Sequence, residues 1–123
     1  MKENKGKELV QNWINTVERH NAEEIIKLYS KKAILLGTIA PSPLVGKKEI
    51  LTYFIDFVKY LPTGKITYDY SQYYQKIIVA SGNYDFVLTE NGIPKLVPAR
   101  FTFVFKRKNN KYKITSHHSS ENP

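Results

Sequence analysis

The sequence predicts an α+β fold, with helices in the first half of the chain and long antiparallel strands in the second. Apolar residues recur at helical spacing in three segments before residue 61, and from residue 65 onwards apolar and polar residues alternate with a period of two. Nothing in the order of these segments requires parallel crossovers. Because 123 residues support one core, we expect a single domain over 1–123, with an ordered core over about 4–120.

Three helices are predicted before the long strands begin. The first spans residues 4–20 and carries Trp13 in the middle of its apolar stripe, where a core position is favoured over a ligand-stacking role for the indole. The second begins at Asn21, since Asn followed three residues later by Glu is similar to a capping box. The third opens at Gly46, after a short strand over 33–37 and a loop stiffened by two prolines.

The second half is predicted to form strands joined by turns. Residues 66–70, 77–80 and 84–88 have the alternation and the β-branched and aromatic content of strands. Gly82, in the middle of one strand, predicts a bend or a bulge that curves the sheet. The segment TENGIPK, residues 89–95, is interpreted as the turn into the final hairpin.

The final hairpin runs from Pro98 to Ser120, and the sheet is organised around it. The phenylalanines of its first strand are predicted to turn inward beneath the helices. With a three-residue loop over 108–110, Phe101 lies opposite His117. The adjacent residues His117 and His118 then point to opposite faces of the sheet.

Both faces of the predicted sheet are rich in large apolar side chains. The helices cover one face, and a monomer seldom leaves so large an apolar surface exposed on the other. We therefore expect a homodimer or a larger ring, formed through the second face. The predicted interface residues are Tyr84, Phe86, Arg100, Thr102, Val104, Ile114 and His118.

Composition limits the partners of the chain. The formal net charge is +8, but nearly all of it comes from lysines spread along the sequence, which is typical of a solvated surface. Aromatic strands with nearby lysines invite comparison with single-strand nucleic-acid platforms. Nucleic acid is nevertheless not an expected partner, because helices must cover one face of the sheet, and salt-sensitive binding to an oligonucleotide would revive it. No segment is long and apolar enough to span a membrane, so the protein is expected to be cytoplasmic.

No metal or cofactor is predicted. The chain has no cysteine, which excludes disulfides and cysteine-ligated zinc. Two histidines on opposite faces of one strand, His117 and His118, cannot ligate one ion. There is no Gly-rich phosphate loop either.

Four groups of residues carry a resemblance to a known family. They are Gly46 with Ile50, Tyr53 and Phe54; Gly92-Ile93-Pro94; Ala99 to Val104; and His117 to Ser120. With them the sequence resembles the nuclear transport factor 2-like superfamily, and within it SnoaL-like proteins of the SgcJ/EcaC type and the association domain of calcium/calmodulin-dependent protein kinase II. The resemblance implies a cone-shaped, cystatin-like fold, in which three N-terminal helices pack on a curved antiparallel sheet around a pocket.

The resemblance does not identify a reaction, because this architecture hosts isomerases, cyclases, dehydratases, transport adaptors and assembly hubs. In the kinase hub the pocket resembles an acid-binding site built with arginines, whose positions fall here on Asn83, Phe103 and Ser119. The absence of arginine there implies a more apolar pocket with neutral polar groups.

One acid–base pair is a candidate for chemistry. If the strand before the TENGIPK turn pairs in even register, Asp85, Phe101 and His117 form a row on the concave face. Asp85 as base and His117 as acid or orienting group could then act as in SnoaL-like cyclases or ketosteroid isomerase relatives. Alternatively, both residues are satisfied structural groups.

The sequence therefore predicts a self-associating domain that binds a small apolar or aromatic molecule. The alternatives are an enzyme, that is an isomerase, cyclase or dehydratase using Asp85 and His117, and a pure oligomerisation module. The predicted ligand-binding residues are Trp13, Tyr29, Tyr53, Phe57, Asn83, Phe101, Phe103 and Ser119.

Overall fold

The computed structural model describes residues 4–123 and has the predicted α+β architecture, with the helices packed on one face of a six-stranded sheet. The helices are α1 (Lys5–Val17), α2 (Ala22–Ile26) and α3 (Lys47–Phe57), and a 3₁₀ turn, Val58–Tyr60, follows α3. The strands are β1 (Tyr29–Leu36), β2 (Leu44–Val45), β3 (Thr63–Tyr74), β4 (Ile77–Glu90), β5 (Ile93–Lys108) and β6 (Lys111–Glu121).

The sheet is mixed, which corrects the expectation of a purely antiparallel one. Its strand order is β2-β1-β6-β5-β4-β3. β1 runs parallel to the C-terminal strand β6, and every other neighbouring pair is antiparallel. A strand that leaves the helices early and pairs with the last strand can take either direction, because the intervening chain is long enough to reverse.

The helices begin and end where local chemistry dictates. In α1 the residues Val10, Trp13, Ile14 and Val17 are buried along one stripe. The helix ends three residues before the predicted boundary, and His20 then adopts a positive φ of 58°. At the start of α2 the side chain of Asn21 accepts a hydrogen bond from the backbone N–H of Glu23, so the predicted N-cap is confirmed.

A bulge does curve the sheet, but it lies in β3 rather than at Gly82. The β3–β4 register shifts between Ile66 and Tyr68, which leaves Thr67 as the extra residue. Gly82 pairs with Asp69, just past this bulge. A Cβ atom on Gly82 would overlap the carbonyl oxygen of Tyr68, so glycine is required there by the close approach of the two backbones.

The turn between β4 and β5 is tighter than predicted, and this changes which side chains face inward. Asn91 and Gly92 both have positive φ, 54° and 77°, as a two-residue type I′ turn requires. Glu90 therefore pairs with Ile93, and the register that follows is odd rather than even. Because a shift of one residue moves every side chain to the other face, Tyr84 and Phe86 point inward. Their predicted place in an exposed interface is wrong, since they are 1% and 5% exposed.

The final hairpin also has a two-residue turn, at Asn109 and Asn110, and a bulge at Thr115. Before the bulge Phe105 pairs with Ile114, which is buried and not at the predicted exposed interface. After the bulge Phe103 pairs with His117 and Phe101 with Ser119, so the predicted pairing of Phe101 with His117 is wrong by one step along the face. The extra residue brings His117 back to the inner face, where it is buried. The prediction that His117 and His118 face opposite ways is confirmed.

The inner face of the sheet and the helices enclose one core. Phe101, Phe103 and Phe105 all lie in it, each at most 3% exposed, as predicted. The outer face, by contrast, is less apolar than expected. It carries the predicted residues Arg100, Thr102, Val104 and His118, together with a row of tyrosines on β3 and several hydroxyl and amide side chains.

Among residues 4–123, no helix is both long and apolar enough to cross a membrane.

Candidate functional site

A small cavity lies between α1, α3 and the inner face of the sheet. The volume open to the centre of a water molecule is about 20 Å³, which is room for about one water. Most of its wall is aromatic or aliphatic, and no carboxylate contributes to it. The lining residues are Trp13, Leu35, Gly37, Thr38, Tyr53, Phe54, Phe57, Tyr84, Phe86, Leu88, Val97, Ala99, His117 and Ser119.

The cavity adjoins a wider depression on the surface, which we call the mouth. The two share Thr38, Leu88 and Val97, and the mouth has a volume of about 400 Å³. That volume lies in the range of small-molecule sites, about 300–1,000 Å³, whereas the inner cavity is far below it. The other residues around the mouth are Ile39, Tyr60, Glu90, Asn91, Ile93, Lys95 and Glu121.

A chain of hydrogen bonds crosses the buried end of the site. Trp13 Nε1 donates to the hydroxyl oxygen of Tyr29 at 3.1 Å, and that oxygen lies 2.9 Å from Nδ1 of His117. An indole N–H can only donate, so the Tyr29 oxygen accepts from it and has its own proton to give to His117. His117 then accepts at Nδ1 and carries its proton on Nε2.

The chain continues from His117 towards the mouth. Nε2 of His117 lies 3.3 Å from the Tyr84 hydroxyl oxygen, which in turn donates to Ser119 Oγ at 2.8 Å. Ser119 Oγ lies 2.7 Å from Thr38 Oγ1. In the arrangement that uses every proton, Ser119 donates to Thr38. The Thr38 hydroxyl proton is then left to be donated at the boundary between the cavity and the mouth.

Burial keeps the ionisable groups of this chain neutral. It lowers the pKa of His117 to about 3 and raises the pKa of Tyr29 and of Tyr84 well above the ordinary value. Burial also raises the pKa of Tyr53 to about 12, partly offset by backbone hydrogen bonds from Ile39 and Thr38. The inner cavity therefore presents neutral hydrogen-bonding groups, and no carboxylate lines it.

Aromatic packing holds His117 in place. Its ring stacks on Phe103, with the centroids 3.8 Å apart and the planes 15° from parallel. The indole of Trp13 lies 5.0 Å from the His117 ring and 5.1 Å from the Phe103 ring, so it packs edge to face at the side of this stacked pair. The imidazole is buried, stacked on one ring and hydrogen-bonded at both nitrogens, so it is a satisfied core group.

The structure brings some of the predicted ligand-binding residues together and separates others. Trp13, Tyr53, Phe57 and Ser119 line the cavity, as does His117. Three more lie in the core behind it without lining it: Tyr29, Phe101 and Phe103.

Asn83 and Asp85 lie on the outer face, because the β4–β5 register is odd. Asn83 contacts Asn122 there, through a hydrogen bond from Nδ2 at 3.4 Å. The prediction that Asp85 and His117 open into one cavity is therefore wrong: the sheet lies between them. Within residues 4–123, no three His, Asp or Glu side chains lie close enough together to hold a metal ion.

Sequence reasoning missed several cavity residues. Tyr84 and Phe86 were assigned to the wrong face, although Asn91-Gly92 is a strong signal for a two-residue turn and would have set the register correctly. Leu88 and Val97 follow from the same register. Thr38 lies in an irregular loop between β1 and β2, and nothing in the sequence marks it.

Comparison with known proteins identifies the fold and the family. The profile of the SnoaL-like domain family matches residues 7–123. A Xanthomonas campestris protein, provisionally described as a calcium/calmodulin dependent protein kinase II association domain, is 32% identical, with a TM-score of 0.91 over 94% of this chain and 84% of that one. A comparison with curated proteins finds no match.

Two more distant structures show the same fold. The CamKII hub homology domain of Chlamydomonas reinhardtii is 16% identical, with a TM-score of 0.83 over 100% of this chain and 99% of that one. A nuclear transport factor 2-like protein with a cystatin-like fold, from Novosphingobium aromaticivorans, is 9% identical, with a TM-score of 0.76 over 93% of this chain and 77% of that one. The predicted nuclear transport factor 2-like, cystatin-like fold is confirmed.

Proposed function

The chain belongs to the SnoaL-like domain family, and from that membership we propose that it is a self-associating domain that binds a small, uncharged, apolar or aromatic molecule at its mouth. The observation that carries the binding half of the proposal is the hydrogen-bond chain from Trp13 to Thr38. It delivers one hydroxyl donor to a boundary whose other walls are apolar.

The size and polarity of the site define the ligand class. The mouth has the volume of a small-molecule site, while the inner cavity holds about one water. A ligand would therefore rest in the mouth against Leu88 and Val97 and direct one acceptor oxygen at the Thr38 hydroxyl. At the Thr38 end of the ligand an ionised group is disfavoured, since the cavity wall has no charged group to pair with it; the charged side chains Glu90, Lys95 and Glu121 lie around the mouth instead.

Binding is favoured over catalysis because the inner cavity offers no base. His117 is neutral, and its Nδ1 already accepts from Tyr29. Asp85 lies on the opposite face of the sheet. The alternative of an isomerase, cyclase or dehydratase would need a general base from the mouth, where the carboxylates are Glu90 and Glu121.

Self-association is supported by the relatives and by one row of the outer face. Two of the matched structures are described as an association domain and a hub homology domain. In this chain an apolar row crosses the outer face, interrupted only by a serine, and Ile34 and Val45 in it are 41% and 57% exposed. Paired across the strands, the row is Val79, Val104, Ser116, Ile34 and Val45. Covering it with a second copy removes apolar surface from water.

Intrinsic fluorescence tests the binding half, because Trp13 is the only tryptophan and lines the cavity. Acetophenone, a neutral aromatic ketone, should bind more tightly than ethylbenzene, which lacks an acceptor. Thr38→Val should weaken acetophenone about five-fold or more and leave ethylbenzene unchanged, as expected for one hydrogen bond. Thr38→Ser keeps the hydroxyl and is the control. If the wild type binds both compounds with equal affinity, the Thr38 hydroxyl does not hold the ligand. If it binds neither compound, the alternative of a pure oligomerisation module is favoured.

Analytical ultracentrifugation tests the self-association half. Val104→Lys places a charge in the middle of the apolar row and should shift the protein to monomer. Ile55→Lys, at a residue of α3 that is 46% exposed, is the matched control and should not. A wild type that stays monomeric at high concentration contradicts self-association, and an assembly that tolerates Val104→Lys contradicts this surface.

A further inference from the structure

The positive charge of the chain is segregated, although the lysines look evenly spread in the sequence. Residues 91–120 contain no Asp or Glu. Over the same stretch, which forms most of the β5–β6 hairpin, the cations are Lys95, Arg100, Lys106, Arg107, Lys108, Lys111 and Lys113. The hairpin is therefore a source of unbalanced positive potential.

Two turns bring the cations together at one end of the sheet. The β3–β4 turn contains Lys76, and the carbonyl oxygen of Lys76 accepts from the backbone N–H of Arg107 at 2.8 Å. Lys108 pairs across the strands with Lys111 beside it. We call this surface the basic end and define it as Lys76, Lys106, Arg107, Lys108 and Lys111. All five side chains are exposed, and none of them forms an ion pair within residues 4–123.

A row of exposed tyrosines leads away from the basic end along the outer side of β3. Tyr68, Tyr70 and Tyr74 are 61%, 71% and 61% exposed. Tyr74 pairs with Ile77, which in turn pairs with Lys106, so the row starts beside the basic end. Tyr68 and Tyr70 are alternate residues of the strand, about 6.7 Å apart, and Tyr74 lies two such steps further along the same open face, beyond Gln72. We call these three residues the tyrosine row.

We infer that the basic end and the tyrosine row together bind a single-stranded nucleic acid, with its phosphates on the cations and its bases stacked on the rings. Such strands are held by a combination of positive charge and exposed aromatic side chains. A duplex hides the faces of its bases and would use only the cations. An anionic membrane would also use only the cations, since the turn residues Lys76, Asn109 and Asn110 offer no apolar group to insert.

This inference reverses the expectation drawn from the sequence, for a structural reason. The sequence places aromatic residues in the strands but does not say which of them lie under the helices. The register puts the phenylalanines of β5 inside and Tyr68, Tyr70 and Tyr74 of β3 outside, so an open face with exposed rings does exist. The tyrosine row lies on the edge strand β3, and the apolar row proposed for self-association ends beside it at Val79, whose partner Gln72 lies between Tyr70 and Tyr74.

Fluorescence anisotropy with a fluorescein-labelled oligothymidylate of about 15 nucleotides tests the inference, since thymidylate forms no stable structure of its own. Binding is expected at about 50 mM salt. The logarithm of the association constant should fall with the logarithm of salt concentration with a slope of roughly −2 to −3, as for three or four phosphate contacts. Absence of any change in anisotropy at that salt concentration would overturn the inference.

Charge variants separate a localised site from net charge. Lys108→Gln with Lys111→Gln should weaken binding and make the slope shallower by about 1.4. Arg19→Gln with Lys59→Gln removes the same charge from exposed positions outside the basic end and should have a much smaller effect. If both pairs of substitutions weaken binding equally, net charge explains it and the site does not exist.

Ring variants test the stacking. Tyr70→Ser and Tyr74→Ser should each weaken binding about five-fold or more, whereas Tyr70→Phe keeps the ring and should not. Leu61→Ser, at a residue that is 51% exposed and outside both surfaces, is the control. Circular dichroism confirms that each variant is folded. Serine variants that bind as tightly as the wild type would overturn stacking. So would a duplex of equal length that binds as tightly as the single strand. Vesicles with about 30% phosphatidylserine that bind while the oligonucleotide does not would assign the basic end to a membrane instead.

Discussion

Removal of the Tyr29 hydroxyl tests the buried hydrogen-bond chain most directly. Tyr29→Phe deletes the one atom that accepts from Trp13 and donates to His117, while keeping the ring in place. Two buried polar groups, Trp13 Nε1–H and His117 Nδ1, are then left without partners. Each such group costs about 1–3 kcal/mol, so we expect a loss of about 3 kcal/mol in the free energy of unfolding.

The loss should appear in two measurements. For 123 residues the unfolding entropy is about 0.26 kcal/mol per kelvin, so the melting temperature should fall by about 12 °C. In urea, with a slope of about 2 kcal/mol per molar, the midpoint should fall by about 1.5 M at unchanged slope. The fluorescence of the single, buried Trp13 reports the transition, at one protein concentration because the protein is proposed to self-associate.

Tyr112→Phe is the matched control for the Tyr29 variant. Tyr112 is half-buried at the edge of the core, and its ring lies under Lys5 Nζ at 5.8 Å, a contact that phenylalanine keeps. We expect its effect to stay within about 0.5 kcal/mol. If Tyr29→Phe is equally mild, the two nitrogen atoms find other partners, and the hydrogen-bond chain does not orient Thr38 as argued.

Three further predictions follow from the same structure. Burial lowers the pKa of His117 from 6.5 to about 3, so the unfolded chain takes up the proton first as the pH falls. The free energy of unfolding should therefore decrease by about 1.4 kcal/mol for each pH unit below 6.5, until about pH 3. Urea midpoints measured over this range should fall less in His117→Asn than in the wild type. Gly82→Ala should lower the free energy of unfolding by about 2 kcal/mol or more, or prevent folding, because the new Cβ overlaps the Tyr68 carbonyl oxygen. Thermal unfolding of this variant is compared with that of Ser81→Ala, and equal melting temperatures would contradict the prediction. Asp85→Asn should change neither the free energy of acetophenone binding nor the free energy of unfolding in urea by more than about 0.5 kcal/mol, since the carboxylate is half-exposed on the outer face. A change in ligand affinity would argue against that placement.

Patterns local in sequence were sufficient for the elements and the fold. The stripe through Trp13, the N-cap at Asn21 and the alternating phenylalanines of β5 were each predicted and are confirmed, because helical spacing, capping and strand alternation depend on near neighbours in the chain. The inward direction of Phe101 and Phe103 followed from the same alternation.

Pairing between distant segments could not be predicted with the same success. The face of Tyr84 depended on whether the β4–β5 turn holds two residues or more, and the face of Ile114 on whether the β5–β6 turn holds two residues or three. An error of one residue in a turn moves a whole strand to the other face, which is why Asp85 was assigned to the cavity and Tyr84 to the surface.

The sequence alone therefore determined the α+β class, the order of the helices and strands, and the family. Only the tertiary structure decided that the site is a neutral chain from Trp13 to Thr38, and that the tyrosines of β3 stand exposed beside the basic end. The physical reason is that hydrogen bonds between side chains, and the sharing of a face by two strands, are set by register between segments far apart in the chain. Register is the sum of every turn and bulge between them.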